Sequence, residues 1–91
     1  MKISLSPTAS NKTTNISVSG EVITYDGVDY DLSLIPDGGE VEADYPAVGI
    51  IKRVDGEIEV TLFYFYDSRT ATEEQRFPNN PYSITEGILN V

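Results

Sequence analysis

Carboxylates are the side chains of this sequence that could do chemistry. It holds 15 Asp+Glu against 6 Lys+Arg in 91 residues, with no His and no Cys. The tightest grouping is Asp29-Tyr30-Asp31, with Asp26 just ahead of it. On an extended strand, alternate residues share a face. Asp29 and Asp31 would then stand side by side and, with Asp26, form a weak divalent-cation site. An EF-hand loop does not fit: counted from Asp29, the sixth position, where Gly is required, is Leu34, although the twelfth is Glu40. The same spacing is also what the outward face of a half-buried hairpin strand needs. Paired carboxylates drive glycoside hydrolysis, but nothing here selects one pair, and so short a chain offers no large cleft around it.

The missing residue types exclude more. Without His there is no Ser-His-Asp triad and none of the usual zinc or non-haem iron sites. Without Cys there is no disulfide framework, thiolate nucleophile or iron–sulfur cluster. Gly38-Gly39 leads into Glu40-Val41-Glu42, which would repel a phosphate. Asn11-Lys12-Thr13 and Asn15-Ile16-Ser17 match the glycosylation sequon, a chance match without a secretory leader. No enzyme activity, catalytic residue or cofactor is expected.

The net charge is 6 − 15 = −9. Only Lys52 and Arg53 are adjacent among the bases. Direct binding to nucleic acid or to anionic membranes is therefore not expected, since both need clustered Lys and Arg. From Glu21 to Asp44 the chain has acids and no base. Such a stretch serves solubility, presents a surface to a basic protein, or acts as an acidic decoy that mimics nucleic acid. No apolar run approaches the ~20 residues of a membrane span. Met1-Lys2-Ile3 runs at once into Ser, Pro and Thr rather than an apolar leader. The expected location is cytoplasmic or virion-associated, without a classical signal peptide.

The elements that would position these groups are strands. Asp26-Gly27 predicts a type I′ hairpin turn, with Tyr25 opposite Val28 and Ile23 opposite Tyr30. Ser19-Gly20 predicts a second turn that sets Ile16 opposite Ile23, giving a meander over residues 14–33. Asp55-Gly56 predicts another hairpin, pairing Arg53 with Ile58, Ile51 with Val60 and Gly49 with Leu62. Lys52 and Glu59 would then form a cross-strand ion pair. Glu86-Gly87 predicts a last hairpin, with Ile84 opposite Leu89. Ser6–Thr13 reads as an irregular breaker containing Pro7, and 68–78 as loop with one helical turn capped by Thr70 or Thr72.

The run Leu62-Phe63-Tyr64-Phe65-Tyr66 is apolar on both faces. Leu62 and Tyr64 face one way with Ile51, Ile58 and Val60. Phe63 and Phe65 face the other with Val48 and Ile50. A strand apolar on both sides is central or covered. The cover would be the N-terminal strand with Ile3 and Leu5, or a second copy of the chain. Val48, Ile50, Phe63 and Phe65 are therefore the interface candidates.

Five segments carry a likeness: Ile-Ser-Leu-Ser-Pro (3–7), Ser-Val-Ser-Gly-Glu-Val-Ile-Thr (17–24), Asp-Leu-Ser-Leu-Ile-Pro-Asp-Gly (31–38), the stretch from Ile51 to Leu62, and Arg-Phe-Pro (76–78). Together they resemble a group of small uncharacterised proteins encoded in prophages and tailed bacteriophages. The resemblance implies a virion, tail-module or assembly role and brings no catalytic residues. The expectation is one all-β domain over 1–91. It would be an antiparallel meander of about six to eight strands, as a sandwich or partly open barrel with little or no helix. It would act through a protein partner or as a homo-oligomer.

Overall fold

The computed structural model describes residues 1–91. The fold is all-β, with two sheets whose inner faces share one core. Nine strands are β1 (Lys2–Ser10), β2 (Ile16–Ser19), β3 (Val22–Tyr25), β4 (Val28–Asp31), β5 (Glu40–Glu42), β6 (Ile50–Val54), β7 (Glu57–Asp67), β8 (Tyr82–Ser83) and β9 (Glu86–Ile88). The only helix, α1, is a single turn at Glu73–Arg76. The larger sheet runs β5-β6-β7-β1-β8 and the smaller β4-β3-β2-β9. Neither closes into a barrel.

Two hairpins form where Asp-Gly demands them. Asp26 and Gly27 have φ of 48° and 83°, and Asp55 and Gly56 of 51° and 80°. Positive φ at both central residues is what a type I′ turn requires. Tyr25 pairs with Val28, Ile23 with Tyr30, and Arg53 with Ile58, as the sequence implies. The periodicity of β7 also holds: Ile58, Val60, Leu62 and Tyr64 are buried, while Phe63 and Phe65 point the other way and are half-buried. Ile3 and Leu5 of β1 complete this layer, and Ile16, Val18, Ile23 and Tyr25 supply the facing layer.

Several expectations are corrected. The turn between β2 and β3 is Gly20-Glu21, so Val18 rather than Ile16 lies opposite Ile23. A glycine at the first central position, here with φ 61°, suits a type II′ turn. The shift spans an even number of residues, so Ile16 and Val18 still face inward. Between β6 and β7, Ala47 rather than Gly49 lies opposite Leu62. Gly49, with φ 74°, sits in a bulge that takes up the extra residues without reversing the faces. Lys52 lies opposite Glu59 in the ladder, but they form no ion pair.

The N-terminal segment lies beside β7 rather than over it. β1 pairs with β7 in parallel from Lys2↔Glu59 to Ser10↔Asp67, running straight through the expected breaker. Pro7 is tolerated for a geometric reason. The backbone N–H and C=O of Leu5 both bond to the Asn80 side chain, on the side away from β7. Pro7, two residues on, points its missing N–H the same way, past the end of β8, where no ladder bond is lost. The expected Glu86-Gly87 hairpin does not form either. β8 joins the larger sheet beside β1, and β9 joins the smaller beside β2, so this segment bridges the two sheets. Thr72 caps α1 with a capping box to Gln75. No helix is long and apolar enough to cross a membrane.

Candidate functional site

Alternation along β7 places Phe63 and Phe65 on the outer face of the larger sheet, where their rings stack at 6.2 Å. Tyr45, from the loop between β5 and β6, extends the stack: it lies 5.9 Å from Phe63 and 6.4 Å from Phe65, and is 58% exposed. The Lys12 ammonium sits 4.9 Å from the centre of the Phe65 ring. That arrangement is a cation–π contact. Of the expected interface residues, Phe63 and Phe65 are together. Val48 is half-buried, its N–H bonded to the Thr61 carbonyl. Ile50 is exposed and pairs with Glu42 toward β5. Tyr45 was not foreseen, because a loop residue carries no periodicity.

The outer face of the larger sheet mixes both charges: Lys2, Lys12 and Lys52 stand against Glu40, Glu42, Glu57 and Glu59, and Lys2 forms an ion pair with Glu57 at 3.7 Å. Glu40 pairs with Lys52, Lys52 with Glu59, and Glu59 with Lys2. These residues form one row of alternating charge across four strands. Lys12 lies at the opposite end, over Phe65. All three lysines of the chain are thus on this face.

A second feature lies on the open side of the sandwich, where β4 ends one sheet and β5 the other. A recess of about 250 Å³ opens there. Tyr30 and Leu32 line it from the smaller sheet, Val41, Ala43 and Tyr45 from the larger, with Ile23 and Leu62 at its floor. Glu42 and Asp44 stand at its rim. No local pattern announces it, because it arises where two distant edges meet.

The carboxylates singled out for chemistry are held by local donors. Asp26 accepts from the Asn15 N–H at 2.8 Å and pairs with Lys12 at 3.5 Å. Asp29 accepts from the Thr24 hydroxyl at 2.6 Å, and Asp31 from the Ser33 N–H at 2.9 Å. The Ser33 backbone bond holds the Asp31 carboxyl below its ordinary range. No three carboxylates converge in a metal-binding group.

Arg53 was also unforeseen. It is only 12% exposed and pairs with Glu21, while its Nε donates to the Ile35 carbonyl at 2.6 Å and a terminal nitrogen to Gly56 at 3.0 Å. It clasps one end of the sandwich. At the aromatic end, the Tyr25 hydroxyl donates to the Phe63 carbonyl at 2.8 Å, and Thr14 bonds the Phe65 backbone through both its N–H and its hydroxyl oxygen. These contacts let the smaller sheet fix the strand that carries the aromatic stack. Comparison with protein-family models, with curated proteins and with solved structures finds no match.

Proposed function

We propose that this chain is a non-enzymatic, assembly-associated protein of the phage and prophage type that works through protein contacts, with a second copy of itself on the outer face of the larger sheet. The observation that carries this reading is the Tyr45–Phe63–Phe65 stack, in which Tyr45 is exposed and both phenylalanines are only half-buried. Charge argues for the second copy. Two molecules of net charge −9 repel over most of their surface. The face with Lys2, Lys12 and Lys52 set against Glu40, Glu42, Glu57 and Glu59 carries only a small share of that charge, and can meet its own copy with little of that penalty. Aromatic rings at the centre and charges at the rim are the usual composition of a protein interface.

Sedimentation velocity over a wide concentration range tests the contact. The wild-type chain is expected to self-associate, and Tyr45→Ser with Ile50→Lys to weaken that association at least tenfold, since both side chains are more than half exposed; the circular dichroism spectrum of the variant checks that it still folds. A strict monomer at high concentration would sink the self-association. The phage assignment rests on the resemblance of five segments, and tail or capsid genes beside this one would support it. The decoy reading has less behind it, because Asp26, Asp29, Asp31 and Asp37 are each bound to a local donor rather than arrayed free on one surface.

A further inference from the structure

The recess between β4 and β5 differs in character from the aromatic stack. Its walls are apolar, its rim is acidic, and it borders a strand edge with nothing bonded to it. Its volume bounds the occupant. An apolar cavity of about 150 Å³ takes up a benzene molecule, and drug-sized ligands fill about 300 Å³ or more. A recess of about 250 Å³ therefore suits one or two side chains rather than a large ligand.

The backbone supplies the second argument. The Ala43 N–H donates to the Gly49 carbonyl, and the Arg53 N–H to the Gly39 carbonyl. Odd-numbered residues of this segment thus bond inward to β6. In an antiparallel ladder the alternate residues point the other way. The backbone groups of Glu40 and Glu42 are therefore directed at the free edge, ready to accept an added strand.

Side chains at that edge alternate in the same rhythm. Val41 and Ala43 face the recess, while Glu40 and Glu42 share the outer face. Of the nearest bases, Arg53 is paired with Glu21, while Lys52 lies across the ladder from Glu40 without forming an ion pair.

From this geometry we infer that β5 is a docking edge for an extended segment of another protein in which basic and apolar residues alternate. The partner strand pairs with Glu40 and Glu42 through the backbone. Its apolar side chains enter the recess beside Val41 and Ala43, and its Lys or Arg side chains meet the two glutamates.

The test titrates the whole chain with the peptide Lys-Phe-Lys-Phe-Lys-Phe-Lys, following backbone amide shifts by NMR. Two controls are the block isomer Lys-Lys-Lys-Lys-Phe-Phe-Phe and the acidic analogue Glu-Phe-Glu-Phe-Glu-Phe-Glu. The alternating basic peptide is expected to shift residues 40–44 and 30–32 and to bind at least tenfold more tightly than either control. Glu42→Pro blocks the outward N–H without removing an internal bond, and Glu40→Lys with Glu42→Lys reverses the rim. Each is expected to lower the affinity at least tenfold while leaving the rest of the amide spectrum unchanged. Equal binding of the block isomer, shifts confined to other surfaces, or no binding at millimolar peptide would overturn the inference.

Discussion

Tyr25 ties the two sheets together through one hydroxyl. Its side chain is 3% exposed, and the hydroxyl donates to Phe63 in the strand that bears the aromatic stack. Burial, first of all, raises its pKa above the ordinary tyrosine value, against the Thr14 hydroxyl, which lowers it. Burial raises Tyr64 as well. A tyrosine raised in this way holds its proton more tightly folded than unfolded. The stability this confers is complete below about pH 10 and drains away as pH climbs through the folded value. Urea unfolding at pH 7 and at pH 11 reads this directly, with a lower midpoint expected at the higher pH. Tyr25→Phe is expected to cost about 1–3 kcal/mol at pH 7, because it strands the Phe63 carbonyl, and to lose less than wild type on going to pH 11. An identical alkaline loss in the variant would show that Tyr25 is not the group responsible.

Two glycines separate conformational from steric demands at the scale of elements. Gly27 has φ 83° with open space where a Cβ would go, so Gly27→Ala costs backbone strain alone, about 1–2 kcal/mol. Gly39, just before β5, would bring a Cβ within 2.8 Å of the Pro36 carbonyl oxygen, which its own N–H already bonds. Gly39→Ala is expected to cost about 2–3 kcal/mol, as an overpacked site does, and to loosen the docking edge. Urea midpoints for the two variants check the ranking.

What could be read in advance follows the same division. Asp26-Gly27 and Asp55-Gly56 make a demand that local backbone satisfies, so both hairpins were legible. Alternation likewise sorted Ile58, Val60, Leu62 and Tyr64 from Phe63 and Phe65. Glu86-Gly87 carries the same kind of signal, but its neighbours find better partners in β1 and β2, and Gly87 sits in a strand at φ 108°. Pro7 looked like a breaker because the side of β1 that lacks a neighbour is a property of the assembled sheet. Half of the aromatic site was legible for its strand residues. Tyr45 and the recess depend on which distant edges come together.

Across the whole molecule, acidity outweighs pairing. Four ion pairs are present, two of them held by arginines: Arg53 with Glu21 across the chain, and Arg69 with Asp67 two residues away. The molecule measures 41 × 23 × 22 Å. At 0.01 M salt the screening length is about 30 Å, so carboxylates on opposite sides still repel, whereas at 0.1 M it is about 10 Å and most of that repulsion is gone. The melting temperature is therefore expected to rise by a few degrees between these two salt concentrations, read by circular dichroism. A fall would mean that the four pairs outweigh the general repulsion.

The parallel pairing of β1 with β7 also decides how the chain bears a mechanical load. Lys2 and Asp67 lie at opposite ends of the pair, whereas Ser10 and Asp67 lie at the same end. Tension between residues 2 and 67 slides the strands along each other and loads every hydrogen bond between them at once. Tension between residues 10 and 67 peels those bonds away one after another. Single-molecule pulling is expected to give a higher rupture force for the first attachment than for the second, so the direction of the load, and not the number of bonds, sets the strength of this strand pair.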